Sequence, residues 1–353
     1  MAEKPNIRSL SQDELSSFFT ERGEPAFRAK QVHQWLWQKH ARSFDEMSNV
    51  AKPLRAFLES HFELLHLNPK TVQKSSDGTV KSALSLHDGK LVESVLIPKG
   101  KRMTACISSQ VGCSLDCSFC ATARLKMARN LMPDEIYDQV VEVGRQAQQH
   151  FQTPLTNIVF MGMGEPLLNY KNVISAIDRI SHPEGLGMSP RRITLSTSGI
   201  AKMIWKMGDD GVRFRLALSL HAATDEKRSR LMSINDSNSL DMLSDAVAGF
   251  YEATGNRITY EYVLLRDFND SDDDARALER FCRRVPCRVN LIEYNPIEGG
   301  EFKASSTART NEFIGILERA GVRVSLRRSR GKDIDAACGQ LANKTTPRLP
   351  FAL

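Results

Sequence analysis

Three cysteines stand within one short stretch of this chain, Cys113-Ser-Leu-Asp-Cys117-Ser-Phe-Cys120. A loop with this spacing can fold three thiolates towards one point, and soft thiolates suit iron–sulfur clusters or zinc. Three ligands on a four-iron cluster leave one iron open to bind a substrate and pass it an electron. Zinc is the structural alternative, but its structural sites use four protein ligands, commonly as two cysteine pairs, and no second pair follows here. Cys106 is the nearest candidate for a fourth ligand, seven residues upstream of Cys113, an unusual distance. The spacing therefore favours iron–sulfur over zinc. The other cysteines, Cys282, Cys287 and Cys338, are scattered, and seven is an odd total. That pattern argues against a disulfide framework and for metal binding or catalysis.

Further candidates stand at the ends of predicted strands. Met161-Gly162-Met163-Gly164-Glu165-Pro166 follows one. Its glycines admit close backbone approach to a ligand, and its carboxylate can accept from an ammonium; by itself the segment reads equally as a strand-to-loop turn. Ser196-Thr-Ser-Gly199, Ser219-Leu220-His221 and Tyr294-Asn295-Pro296 occupy similar places. A lone histidine at a strand end is more often structural. Glu93, alone, reads as a surface acid on an edge strand. Cys338 alone reads as a small buried hydrophobe, although Gly331 and Gly339 bracket it in a short, flexible-looking segment preceded by basic residues. Cys282 and Cys287 read as structural, one on a helix face and one opening a strand.

These residues need elements to position them. The chain has 353 residues, enough for about two domains. With 41% hydrophobic and 25% charged residues it is ordinary for a globular protein, which excludes a mainly disordered chain. No run of about 18 apolar residues offers a membrane span. The opening MAEKPNIRSLSQDEL lacks the apolar core of a secretory signal, so the cytoplasm is the expected compartment. A net charge of +6 is too mild to identify a nucleic-acid binder. Its distribution is more telling. Arg323, Arg327, Arg328, Arg330 and Lys332 form one basic run, and Lys99, Lys101, Arg102, Arg124, Lys126 and Arg129 form another. Both flank cysteines.

Residues 1–65 predict a small helical domain. Helices are expected from Ser11, over 25–40 with Phe27, Val32 and Trp35–Leu36 on one stripe, and near 53–62; Ser43-Phe-Asp-Glu predicts a capping box. Residues 66–102 predict a short β-hairpin extension turning at Asp77-Gly78 and Asp88-Gly89. From 103 to 343 strands and helices alternate, with strands at 156–161, 191–196, 212–219, 257–265, 287–293 and 321–327. Helices are expected at 133–149, 170–181, 224–232, 239–254, 273–284 and 307–320, leaving 344–353 as a tail. This is an α/β pattern, and it implies a parallel sheet or barrel with its site at the C-terminal strand ends.

The cysteine triad resembles that of the radical S-adenosylmethionine (radical SAM) superfamily. The resemblance implies a partial (β/α)6 barrel and a [4Fe-4S] cluster on Cys113, Cys117 and Cys120. The open iron would chelate SAM, and an electron would cleave it to a 5′-deoxyadenosyl radical. It further implies SAM contacts at Gly164, Glu165, Ser196, Ser219, Leu220, His221 and Asn295. Cys106-Ile-Ser-Ser-Gln-Val-Gly-Cys113, Cys120-Ala-Thr, Arg129-Asn130-Leu131 and the run from Arg330 to Leu341 narrow the match. Over nearly the whole chain the sequence resembles the RlmN family of adenine-C2 RNA methyltransferases, sister to Cfr.

That resemblance implies targets in the peptidyl-transferase region of 23S rRNA and beside the anticodon of some tRNAs. Adenine C2 is electron-poor and cannot displace a methyl from SAM, whereas a radical can add to it. Cys338 would accept a methyl from one SAM. A radical from a second SAM would then take a hydrogen from that methyl, so each turnover uses two SAM molecules. The methylene radical would add to C2, with Glu93 as the base. Cys106 would attack the sulfur of Cys338, releasing product and leaving a Cys106–Cys338 disulfide. An electron donor and a thiol reductant are implied partners, and a monomer is expected. The sister activity at adenine C8 carries a further cysteine where this chain has Val111. A zinc-stabilised RNA-binding protein is the non-enzymatic alternative. One departure from the family is Leu125-Lys-Met127, where many members have a glycine-containing stretch.

Overall fold

The computed structural model describes residues 4–343, so the expected tail at 344–353 lies outside the described residues. The N-terminal unit is helical, as expected. α1 (Gln12–Thr20) starts on a capping box: Ser11 Oγ accepts from Glu14 N at 3.1 Å and Glu14 Oε2 accepts from Ser11 N at 2.7 Å. α2 (Phe27–Trp37) buries Ala29, Val32, His33, Leu36 and Trp37. Phe27 departs from the predicted stripe; it opens the helix, 54% exposed, with the Arg28 guanidinium 4.8 Å over its ring. Ser43 caps nothing, because Glu46 accepts from Arg42 N instead, at 3.0 Å. α3 is Lys52–His61.

This unit docks on the following domain through a buried cation. Arg8 pairs with Asp138 at 2.7 Å and lies 4.6 Å over the Trp37 ring. Asn6 Nδ2 donates to Asp134 Oδ2 at 2.7 Å, and the Tyr137 hydroxyl donates to the Trp37 carbonyl. Asp134, Tyr137 and Asp138 all lie on α4 (Pro133–Phe151) of the domain beyond.

β1 (Asn68–Lys74), β2 (Val80–Ser85), β3 (Leu91–Lys99) and β4 (Arg102–Ile107) form an antiparallel meander that turns at both predicted Asp-Gly pairs. It is no separate linker. β4 also pairs in parallel with the next strand, so the extension and the barrel are one ten-stranded sheet. β5 (Gln110–Val111) and β6 (Arg129–Asn130) pair across the base of the cysteine loop. After α4 come β7 (Asn157–Phe160), α5 (Tyr170–Ser181), β8 (Ile193–Thr197), α6 (Ala201–Asp209), β9 (Arg215–Ser219), α7 (Asp225–Leu231) and α8 (Leu240–Thr254). β10 (Ile258–Leu264), α9 (Asp272–Cys282), β11 (Cys287–Glu293), α10 (Thr307–Arg319) and β12 (Val324–Arg327) follow.

All six predicted parallel strands are present as β7–β12, and β4 is a seventh, in the order β4-β7-β8-β9-β10-β11-β12. α6 was not anticipated. Its N-cap, Ile200, offers no side-chain bond and Ala201 N donates instead to the distant Asn238 Oδ1 at 2.8 Å, so no local sequence signal marks its start. Among the described residues no helix is long and apolar enough to cross a membrane.

Two histidines make the N-terminal unit sensitive to acid. Burial, then Arg179, pushes His33 down to about 4. Burial, then Arg145, does the same to His40. An unfolded histidine titrates near ~6.5, so below that pH the unfolded chain takes up protons that the folded one refuses. Their contribution is whole above pH ~6.5 and is lost as pH falls towards 4. The denaturation midpoint, followed by the fluorescence of Trp35 and Trp37 in this unit, is therefore expected to be lower at pH 5 than at pH 7.5, and less so in His33→Gln. Equal midpoints at the two pH values would contradict this account.

Candidate active site

One pocket opens at the C-terminal ends of the parallel strands, where the fold class places a site. β4 runs into the cysteine loop, and Cys113, Cys117 and Cys120 border the pocket together. Burial pushes the Cys113 thiol up to about 11 and the Cys117 thiol further, with the neighbouring thiols adding to both shifts. At Cys113 and Cys117 burial disfavours thiolate charge until a cationic group sits among the sulfurs. Bound iron supplies that charge, so the donor set fits a cluster. Among the described residues no three histidine, cysteine or acidic side chains are drawn together around a single ion.

β7 delivers Glu165. Gly164 before it has φ +93°, and a Cβ there would lie 2.4 Å from the Gln110 side chain, so only glycine fits. Glu165 is buried; its Oε1 accepts from Leu167 N at 3.0 Å and its Oε2 from Ser198 N at 2.7 Å. Burial raises its pKa despite these bonds. The carboxylate is thus fixed in orientation.

β8 and β9 supply Ser196 and Ser219, whose hydroxyls are 3.3 Å apart, and then His221. His221 adopts φ +57° and its Nδ1 accepts from Val263 N at 3.0 Å, which leaves the ring hydrogen on Nε2. Burial, then Arg228, pushes its pKa down to about 3, so it is neutral in use. Asn295, beyond β11, completes this wall. Asn295 Oδ1 is buried without a hydrogen-bond partner among the described residues, and a polar ligand would satisfy it. Leu220 is the exception among the predicted contacts. Its side chain is fully buried in the core rather than lining the pocket, while its carbonyl accepts from Arg228 Nε at 3.2 Å.

Cys338 also lines the pocket, brought there by the C-terminal loop. Gly339 O accepts from Ala121 N at 2.7 Å, and Leu341 O accepts from Thr122 Oγ1 at 2.7 Å. The far end is tied to the β1–β2 turn: Gly331 N donates to Asp77 Oδ2 at 3.0 Å, and Asp333 Oδ1 accepts from Ser75 Oγ at 2.5 Å. A Cβ on Gly331 would lie 2.7 Å from that of Ala336. The segment that looked flexible in sequence is anchored at both ends. Cys106, on β4, is buried, and Cys338 is near enough to help raise the pKa of its thiol, so the two thiols lie together.

Glu93 is no surface acid; it is 1% exposed. It shares one face of the sheet with Cys106, since Val95 pairs with Cys106 and side chains alternate. Its Oε2 accepts from Ala342 N at 2.8 Å and Asn343 N at 3.1 Å, and Lys81 Nζ stands 3.4 Å from Oε1. It thus lies under the C-terminal segment rather than on the pocket wall. Cys282 and Cys287 are structural neighbours, as read from sequence, with Cys287 Sγ donating to Cys282 O at 3.5 Å.

Several residues were missed. Arg228, fully buried, donates to the carbonyls of Ser198 and Leu220 and to Asn235 Oδ1 at 2.8 Å, bridging the ends of β8 and β9. In DEKRSRL it looks like one charge of a solvated helix, so nothing in sequence marks it. Glu261 also lines the pocket, and a lone acid inside the apolar strand ITYEYVL was a signal. The basic runs divide. Arg129 is locked between Asp88 and Glu135, each at 2.8 Å, and Lys332 pairs with Glu293 at 2.9 Å. Lys99, Lys101, Arg102, Lys126, Arg323 and Arg328 are exposed.

Arg228→Met is expected to leave two buried acceptors, Ser198 O and Asn235 Oδ1, unsatisfied at about 1–3 kcal/mol each, while Leu220 O keeps its bond from Ala222 N, so a loss of roughly 3 kcal/mol in denaturant unfolding is the prediction. SAM affinity should fall with it; unchanged stability and affinity would remove the bridge from the account.

Comparison with known proteins now bears on this site. A family model described as the ribosomal RNA large subunit methyltransferase N-terminal domain matches residues 5–64, and one described as the radical SAM superfamily matches residues 107–278. A probable dual-specificity RNA methyltransferase RlmN from Christiangramia forsetii is 55% identical, covering 97% of this chain and 97% of its own. A dual-specificity RNA methyltransferase RlmN from Anaeromyxobacter is 45% identical over 98% of this chain and 93% of its own. The crystal structure of a radical SAM methyltransferase from Sphaerobacter thermophilus superposes with a TM-score of 0.91 at 39% identity, covering 96% of this chain and 99% of that one. With its helical N-terminal unit, its parallel sheet and its cysteine-lined pocket, the chain belongs to the RlmN family of radical SAM RNA methyltransferases.

Proposed function

We propose that this protein methylates C2 of an adenosine in RNA: one in the peptidyl-transferase region of 23S rRNA, and one beside the anticodon in some tRNAs. The observation that carries the reading is one pocket bordered both by Cys113, Cys117 and Cys120 and by Cys338, with Cys106 alongside. Cys113, Cys117 and Cys120 would hold a [4Fe-4S] cluster, and Gly164, Glu165, Ser196, Ser219, His221 and Asn295, with the backbone of Leu220, would hold SAM. When bound, the two together supply one electron and a carbon radical able to abstract hydrogen.

The chain's own residues do the rest. Glu165, held by two backbone amides, receives the SAM ammonium. Neutral His221 offers an N–H without a competing charge. Cys338 carries the methyl group at the pocket wall. A methylene on its sulfur becomes bonded to C2, tethering RNA to protein. The Cys106 thiolate then attacks the Cys338 sulfur: the S–S bond forms, the S–C bond breaks, and its electron pair stays on the carbon, which takes up a proton to become the new methyl; the unpaired electron left by radical addition would return to the bound cluster. Glu93 takes the C2 proton. For that, the Ala342 and Asn343 amides must first leave its carboxylate, so the C-terminal segment shifts during turnover. An electron donor and a thiol reductant restore the starting state. The target adenine must be unstacked to enter the pocket, and the exposed lysines and arginines around it would hold the RNA backbone.

Mass spectrometry of the Cys338 peptide tests this, in protein reconstituted with iron and sulfide and then given SAM. A methyl on Cys338 is expected. Cys338→Ala should abolish RNA methylation, and Cys106→Ala should accumulate a covalent protein–RNA adduct. An unmodified Cys338 in protein that cleaves SAM would refute the carrier. A product methylated at C8 would refute the assignment of position.

A further inference from the structure

Arg327 ends β12, and its guanidinium lies between a buried carboxylate and two thiols. Nη1 donates to Glu261 Oε2 at 2.9 Å and stands 3.5 Å from Met161 Sδ; Nη2 is 3.8 Å from Cys338 Sγ. Glu261 is 3% exposed, and its other oxygen accepts from Asn290 Nδ2 at 2.8 Å. Sheet register holds the arrangement, since Glu261 pairs with Asn290 across β10 and β11, and Ile292 pairs with Arg327 across β11 and β12. In sequence Arg327 is one member of a basic run suited to gripping RNA. An arginine committed to a buried carboxylate is not available for that, yet one arm of its fork still points to the sulfur of Cys338.

We propose that Arg327 is the residue that holds Cys338 as a thiolate and keeps its sulfur at the pocket wall, ready to take a methyl group from a sulfonium donor. This rests on the reading of Cys338 as the methyl carrier. The step balances. The thiol proton leaves to water, the thiolate lone pair forms the new S–CH3 bond, the methyl–sulfonium bond breaks, and its electron pair stays on the donor as a neutral thioether. The methylated sulfur carries no charge, so the guanidinium then releases it.

The same contact orders the two cysteines. Around Cys338 the titratable groups are Arg327 on β12, Cys106 on β4, Glu261 on β10 and Glu293 on β11, the last neutralised by Lys332 at 2.9 Å. Across the pocket stand Glu165, His221 and the three cysteines of the loop. Burial, then the neighbouring Cys338, pushes the Cys106 thiol up to about 12, with Arg327 opposing the shift. One guanidinium faces two thiols, and the exposed one takes the charge. Cys106 remains protonated until alkylation has neutralised Cys338, so it does not attack early.

The test is the rate of alkylation of Cys338 by iodoacetamide, read from the mass of its peptide between about pH 5.5 and about pH 9.5, across the range of protein thiols. The protein is reconstituted with iron and sulfide, and no SAM is added. The wild type should show a midpoint below the ~8.5 of a free cysteine. Arg327→Gln should raise it by about one unit, which slows alkylation at pH 7 about tenfold, and Arg327→Lys should restore part of the shift. A rate that falls equally at every pH in Arg327→Gln, with the midpoint unmoved, would mean a merely structural arginine and overturn the proposal. A wild-type midpoint at or above that of a free cysteine overturns it without any variant. The carrier reading is tested separately, by adding SAM: a low midpoint without methyl transfer defeats the carrier and spares the thiolate clamp.

Discussion

Two hydrogen bonds, from Ala121 N to Gly339 O and from Thr122 Oγ1 to Leu341 O, seat the C-terminal loop on the loop that carries the three cysteines. Each is worth only about 1 kcal/mol net, but together they bring Cys338 to the same pocket as Cys113, Cys117 and Cys120. The other anchors serve the same end. Asp77 and Asp333 tie the far side of the loop to the β1–β2 turn, and Ala336 and Leu341 pack against Val95, Cys106 and Met163. The antiparallel extension is therefore part of the active-site scaffold, because it holds the carrier loop.

The wall of the pocket around the cysteine loop is built to receive charge rather than to hold it. His221 is neutral, the Cys113 and Cys117 thiols resist ionisation, and Glu165 is costly to keep charged where it lies. A cationic cluster and a sulfonium ligand supply what these groups lack. Arg228 and Arg327 are the fixed positive charges of this region, and both are spent on positioning. Arg228 joins the ends of β8 and β9, and Arg327 joins Glu261 to Cys338.

The basic runs illustrate how weakly composition speaks for an interface. Arg129, Arg327 and Lys332 are each paired with carboxylates, whereas Lys99, Lys101, Arg102, Lys126, Arg323 and Arg328 stand in solvent. A charge in a run can face inward or outward. Only the fold separates a residue that fixes a strand end from one that meets a phosphate.

The cysteine spacing, the strand-end motifs and the alternation of strands and helices were legible without coordinates, because each is local: a short loop, a turn, a period of two or of about 3.6. They determined the fold class, the candidate cluster ligands and nearly all of the candidate cofactor contacts. Motif position does not say which way a side chain faces, and that of Leu220 turns into the core. The start of α6, capped only by the distant Asn238, and the buried Arg228 left no local mark. What only the tertiary structure decided was proximity between distant segments. Glu93 lies beneath the C-terminal segment, Arg327 reaches from Glu261 to Cys338, and Cys338 meets a loop more than two hundred residues earlier. Such contacts follow from sheet register and loop docking, which depend on the whole chain being packed at once.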